Sequence, residues 1–267
     1  MYLCIDIGGT KTLIALFDHR GKLLHSVKFL TNANQTKFYQ ALTQQIKVNF
    51  VTSGIKAFSV AMPGIVKHDF ATWLGNLPWH DFNIAKKLKN DFDIPVYVEN
   101  DANLAALAEA RSSKGRSLYF TFSTGIGGGV VEDGMLVKRY AEFEPGHIEF
   151  VYEGEKAEWE DFAAASAINT KFNKYVSDLT TPAEWSEVVR RTLLGLVPLT
   201  TSIKPDRIIF GGPLGLHLNS YRTKLRKEFA ASLPSDITMP RLQIAKYSSF
   251  STAYGCYYYA KLRENRH

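Results

Sequence analysis

Apolar and polar positions follow two different periods along this chain. Residues 2–7 (YLCIDI) and 12–18 (TLIALFD) are short apolar runs on either side of GGTK, and KLLHSVKFL extends again after His19-Arg20-Gly21. Three such runs joined by turn residues predict an antiparallel meander. Residues 35–50 then put Phe38, Leu42, Ile46 and Phe50 at helical spacing, and residues 55–62 (IKAFSVAM) return as a buried strand that stops at Pro63-Gly64.

After a loop around NLPWHDF come a helix near 82–91, the strand IPVYVEN and the alanine-rich helix DANLAALAEA. This order places Asn100 and Asp101 where a strand stops and a helix starts. Ser112-Ser113-Lys114-Gly115 reads as a hinge. From residue 117 the opening pattern repeats as SLYFTFS, a glycine-rich bend TGIGGG, VVEDG and MLVKRY. Two strand-turn-strand units with threonine and glycine at the bend predict a duplicated architecture. Beyond it, 158–177, 182–202 and 216–231 are helical by apolar spacing, RIIFGG and RLQIAKY are strands, and STAYGCYYYAKL is a helix that packs back near the start.

Composition narrows the class. The 267 residues suit two modest domains or one large α/β unit, and 45% hydrophobic with 22% charged residues is the balance of an ordinary globular protein. No apolar run approaches the ~20 residues of a membrane helix, and the N-terminus enters MYLCIDI with no charged-then-apolar leader, so a cytoplasmic address and no membrane partner are expected. Two cysteines, Cys4 and Cys256, make neither a disulfide framework nor a four-cysteine metal site. The net charge of +6 fits nucleic acid, an acidic surface or a phosphorylated ligand. The cations are spread along the whole length as solvated helix faces, which speaks against nucleic acid and leaves a polyanionic substrate open.

Four short stretches carry candidate chemistry. In GGTKT, glycines let a backbone approach phosphate oxygens while a hydroxyl and a lysine add donors, and Asp6 just before the bend suits magnesium held through water. The same string also suits a plain hairpin turn, and it is not a P-loop, because GxxxxGK[ST] is absent. STGIGGG at 123–129 offers a second bend of the same kind; the pair favours phosphate binding over two accidental turns. Asp101 suits a helix cap, and it also suits accepting the proton of an attacking hydroxyl with Asn100 on a neighbouring hydroxyl; both roles can coexist, and the helix dipole favours the ionised form. In FEPGHIEF, Glu144 and His147 flank a Pro-Gly turn and would supply acceptors and a donor to adjacent sugar hydroxyls.

In this order, DIGGTKT, AMPGIV, NLPW, VENDANLAALAE, STGIGGGVVEDG, EPGH and IIFGG resemble the sugar kinases of the ROK family (repressors, open reading frames, kinases), which have the actin-like ATPase (ribonuclease H-like) fold. The resemblance spans about residues 4–212. It implies two α/β domains around a central cleft, with ATP and sugar inside and transfer of the γ-phosphoryl group to a sugar hydroxyl. The domains would be 1–112, a smaller N-terminal α/β domain on which the C-terminal helix at about 250–267 packs back, and 113–249, the larger one. By motif match, Asp6, Gly8, Gly9, Thr10 and Lys11 would face the phosphates and magnesium, and Ser123, Thr124, Gly125 and Gly127 would hold the phosphate from the second domain. Asp101 would be the general base, with Asn100, Glu144 and His147 on the sugar and Gly64 and Asn76 near its pocket. Gly211 and Gly212 match glycines near the nucleoside.

The chain also departs from the family. Members commonly carry a CxCGxxGC zinc motif after ExGH, and this chain has no cysteine there, so no zinc is expected and His147 must be oriented by another neighbour. Glu160 falls where the family has a sugar-binding glutamate after the last cysteine. The family's nucleotide-side GDxAGxxGAA appears as AKYSSFSTAYGCYYYA, with only Ala253 and Gly255 retained. Zinc-free relatives with a tryptophan-acid pair in this region include polyphosphate-dependent glucokinases. The expectation is therefore a homodimeric glucokinase-like hexose kinase using ATP and magnesium. A polyphosphate-dependent glucokinase and a catalytically impaired sugar-binding or regulatory relative are the alternatives.

Overall fold

A computed structural model describes residues 1–75 and 77–265. The chain divides into two units, one of Met1–Ala108 with the segment from Phe250, the other of Glu109–Ser249. The division falls inside a helix, and Ser112–Gly115 belongs wholly to the second unit.

The first unit opens with β1 (Tyr2–Ile7), β2 (Lys11–Phe17), β3 (Leu23–Leu30), α1 (Gln35–Asn49) and β4 (Ala57–Met62). It continues with β5 (Ile65–Lys67), β6 (Phe70–Trp73), α2 (Ile84–Phe92), β7 (Val96–Asn100) and α3 (Asp101–Ala110), whose last two residues belong to the second unit. Five strands form one sheet in the order β3-β2-β1-β4-β7. The first three are the antiparallel meander, while β1, β4 and β7 run parallel. Phe38, Leu42 and Ile46 of α1 are buried as their spacing predicts, and the Asn34 side chain caps that helix by accepting the Lys37 N–H.

The second unit contains β8 (Arg116–Phe122), β9 (Ile126–Glu132), β10 (Met135–Leu136), β11 (Glu149–Tyr152), β12 (Glu155–Glu158), α4 (Trp159–Ala163) and α5 (Ala165–Phe172). Then follow α6 (Pro182–Ile203), β13 (Arg207–Gly211), α7 (Gly212–Leu216), α8 (Leu218–Ser232) and β14 (Arg241–Ile244). Its main sheet runs β10-β9-β8-β13-β14, again three antiparallel neighbours followed by parallel ones. The two sheets therefore share one topology, the duplication that the repeated strand-bend-strand pattern predicts. Trp159 is the largest fully buried side chain of this unit and meets Phe120 and Phe122 edge-on. The last helix, α9 (Ser251–Glu264), returns to the first unit, and Gly255 lets it touch α3, since a Cβ there would collide with the Leu104 carbonyl. Among the described residues no helix is long and apolar enough to cross a membrane.

Three expectations change. The helix predicted over 158–177 is broken at Ala164, whose extended backbone (ψ 158°) separates α4 from α5. The helix predicted from 216 starts at Leu218, after the short α7. Two hairpins, β5–β6 and β11–β12, have strands of three or four residues with too few apolar positions to register as a period.

Candidate functional site

In the first unit the parallel register gathers the candidates at the carboxyl ends of the strands, where open α/β sheets bind ligands. Asp6 lies opposite Ala61, and Ala61 lies opposite Glu99, so Asp6 and the β7–α3 junction share one edge. Burial pushes the Asp6 carboxyl up to about 7; the charge of Asp101 adds to the rise and Lys28 on β3 opposes it. Burial likewise raises Asp101 to about 6, against the hydrogen bonds of the Ala102 N–H and its own. The expectation that the helix start keeps Asp101 ionised is thus corrected in degree, because desolvation outweighs those donors.

Asp101 is not the cap of α3. Asn100 is buried, and its Oδ1 accepts the Asn103 N–H at 2.9 Å while its Nδ2 donates to the Gly64 carbonyl at 2.8 Å. Gly64 has φ 85°, and a Cβ there would run into the Trp73 carbonyl, so glycine is required by the backbone. Asn76 lies outside the described residues.

The GGTK bend separates its two readings. A hairpin alone would use glycine for positive φ, yet neither Gly8 nor Gly9 adopts it, and a Cβ on Gly9 would meet nothing within 4 Å. The Gly8 N–H closes the turn on the Lys11 carbonyl at 3.1 Å, and the Thr31 N–H donates to the Thr10 carbonyl at 2.9 Å. Gly9, Thr10 and Lys11 are exposed. The fold gives Gly9 no conformational or packing requirement.

In the second unit the Ser123–Gly127 bend joins β8 to β9, with Gly127 opposite Thr121. It is braced from α5, where the Ser166 hydroxyl donates to the Thr124 carbonyl at 2.6 Å. Beside it is a cavity of about 390 Å³ lined by Ser123, Thr124, Asn169, Tyr175, Pro213 and His217. Gly211 lies opposite Thr121 at the same edge. A Cβ on Gly211 would strike the Tyr119 ring, and Gly212 has φ 71° against the Phe122 backbone, so both glycines serve packing that brings Pro213 to the cavity.

Glu160 is held between the two motifs of this unit. Its Oε2 accepts the Ile126 N–H at 3.0 Å, and a Cβ on Gly125 would come within 2.5 Å of the same oxygen. A Cβ on Gly146, in the 3-10 turn Pro145–His147, would collide with it as well. Gly125, expected at a phosphate, thus makes room for Glu160. Glu144 precedes the turn and accepts the His147 N–H through its carbonyl at 3.3 Å. His147 Nδ1 stands 2.8 Å from Glu158 Oε2 and 4.0 Å from Glu160 Oε1. Burial lowers the imidazole pKa, but the Glu158 hydrogen bond and the charges of Glu160, Glu158 and Glu144 leave it raised. The donor atoms of His147, Glu158 and Glu160 lie within 4.8 Å of one another, the one such trio among the described residues.

Glu158, Gly146 and Asn103 were not anticipated from the sequence. The available signal was the glycine of the PGH motif itself, which the structure shows is kept free of a Cβ by the Glu160 carboxylate and the Ile126 carbonyl. Ala253 and Gly255, read as remnants of a nucleotide-side stretch, are packing residues of α9 on the first unit. Cys4 and Cys256 are both buried and unbridged.

Two equivalent five-stranded sheets with the candidate groups at their carboxyl edges define the actin-like ATPase fold. The chain belongs to the ROK family, whose model matches residues 2–263. It is 29% identical over 260 residues to a fructokinase of Zymomonas mobilis, covering 86% of this chain and 85% of that one. Among solved structures it resembles an inorganic polyphosphate/ATP-glucomannokinase from Arthrobacter (TM-score 0.76, 25% identity, 98% of both chains). It also resembles a ROK family glucokinase from Streptomyces griseus in complex with glucose and AMPPNP (TM-score 0.80, 22% identity, 98% of this chain and 99% of that).

Proposed function

We propose that this protein is a cytoplasmic, homodimeric sugar kinase that transfers the γ-phosphoryl group of ATP to a hexose hydroxyl, with Asp101 as general base. The observation that carries this reading is that Asn100 caps α3, while Asp101 has a carboxyl raised to about 6, close to the operating pH that favours a proton acceptor. Asp101 accepts the hydroxyl proton as the oxygen–phosphorus bond forms and the bond from the γ-phosphorus to its bridging oxygen breaks. Glu144, His147 and Glu160 of the second unit would bind the sugar, as would Asn100 and Asn76 of the first, where Gly64 holds the Asn100 amide.

Asp6 suits magnesium through water, because two carboxyls raised by desolvation share one edge and Lys28 is the one charge among the described residues that lowers Asp6, a deficit a cation would fill. When bound, that ion would neutralise charge on the phosphates. The backbone of Gly8, Gly9, Thr10 and Lys11 would approach the phosphates, and Thr124 and Gly127 of the second unit would contact them as well, while Gly125 keeps the space that Glu160 fills. The cavity bordered by Tyr175 and Pro213 would take the nucleoside beside Gly211 and Gly212.

The donor and the sugar are tested together. A coupled assay across hexoses and N-acylated amino sugars, run in parallel with ATP and polyphosphate, should show turnover with ATP and at least one hexose. Turnover with polyphosphate alone would replace the donor. Calorimetric sugar binding with no turnover from either donor would identify a catalytically impaired relative and refute the kinase reading.

A further inference from the structure

His147 needs a fixed ring to read a hydroxyl, and it lies on a short turn with more than a third of its side chain exposed. The β11–β12 hairpin supplies the constraint. Register pairs Glu149 with Glu158, so the hairpin doubles the chain back and returns Glu158 beside the residue two before its own start. Glu158 is itself fastened. The Asp161 carboxylate accepts its backbone N–H at 3.1 Å, and the next residue, Trp159, is fully buried, with its N–H donating to the Ile148 carbonyl at 3.0 Å and its indole N–H to the Arg191 carbonyl at 3.2 Å. Two adjacent carboxylates then divide their work: Glu160 takes the Ile126 N–H, and Glu158 takes His147.

We propose that Glu158 is a positioning residue: its carboxylate accepts the His147 Nδ1–H, fixes the plane of the ring and assigns Nε2 to the sugar. An ionised carboxylate only accepts, so this contact requires the proton on Nδ1. The spacing suits a hydrogen bond and not a shared metal. Two ligands on a tetrahedral zinc at its usual bond lengths stand roughly 3.4 Å apart, whereas Nδ1 and Oε2 are 2.8 Å apart. The sugar role rests on the kinase reading, but the orientation of the ring does not.

The test uses the full chain and three variants, E158A, E158Q and H147Q, the last identifying the His147 signals in long-range proton–nitrogen spectra. In the wild type, neutral His147 should carry its proton on Nδ1. E158A should move it toward the Nε2–H form and lower its pKa, with no change in the other histidines. For whichever sugar is accepted, E158A should raise KM roughly tenfold, the scale of one lost hydrogen bond to a charged group, with kcat within about threefold. E158Q, whose amide oxygen still accepts, should restore most of that affinity. An unchanged His147 tautomer and titration in E158A, or one zinc per chain held through purification at this site, would overturn the proposal. If the wild type phosphorylates no sugar, the kinase reading fails by itself and the spectra still decide the role of Glu158.

Discussion

Asn100 Oδ1 accepts the Asn103 N–H at 2.9 Å, which relieves the neighbouring Asp101 of the helix cap. The two residues should therefore fail differently. Asp101→Ala should lower turnover by about 10²–10⁴, the usual worth of a positioned base, and leave sugar affinity nearly intact, with no loss of stability at neutral pH because removing a desolvated carboxyl offsets the lost bond from the Ala102 N–H. Asn100→Ala should destabilise the protein by about 1–3 kcal/mol, since it loses a cap and the bond to the Gly64 carbonyl. Urea unfolding and the coupled assay separate the two; near-normal turnover in Asp101→Ala would remove it as base.

Asp6 links function to pH-dependent stability. A carboxyl whose pKa is raised on folding, here to about 7 from an unfolded value of about 3.8, holds its proton more tightly in the folded chain. Its stabilising contribution is fully present below the unfolded value and is lost as pH rises through about 7. Asp6→Asn removes that loss. It should raise the melting temperature at pH 8, by on the order of 1–3 kcal/mol of stability, and have far less effect at pH 4, while activity falls. Equal melting of the two proteins at pH 8 would contradict the raised carboxyl.

The two glycines of the first unit's motifs make opposite predictions. Gly64 has φ 85° and no room for a Cβ, so Gly64→Ala should cost about 2 kcal/mol or more through strain and collision. Gly9 has ordinary φ and open space, so Gly9→Ala should change stability by less than about 0.5 kcal/mol. It should nevertheless raise the KM for ATP several-fold if phosphate approaches its backbone. An unchanged KM would return GGTK to a plain hairpin.

The β1–β2 bend, the strand-to-helix junction at Asn100-Asp101 and the repeated meander were legible because local punctuation marks each of them: glycine pairs, a helix-start acid and short apolar runs. Longer-range relations were not. Asn100 and Asp101 are equally good cap residues by type, and only the Asn103 bond separates them. Glu158 sits in EKAE, which reads as a solvated surface until the hairpin register carries it to His147. The helix break at Ala164 has no proline or glycine to announce it; Ala164 is buried in the core cluster that also holds Trp159, so tertiary packing sets the break.

Gly146 gives the sharpest test of how the second unit holds its sugar carboxylate. Glu160 Oε2 occupies the space a Cβ on Gly146 would need, and the same oxygen accepts the Ile126 N–H. Gly146 has no positive φ, so alanine there needs no unusual φ, but its Cβ would meet both the Glu160 carboxylate and, at 2.6 Å, the Ile126 carbonyl, so it costs stability as well as pushing the carboxylate aside. Gly146→Ala should therefore raise the sugar KM by roughly tenfold or more, the effect of losing a charged hydrogen bond, and leave the KM for ATP unchanged. Gly146→Ala combined with Glu160→Asp, whose shorter side chain withdraws from the crowded space, should recover part of the stability lost in the single alanine variant. If Gly146→Ala binds sugar as tightly as the wild type in calorimetry, Glu160 is not the group that reads the sugar.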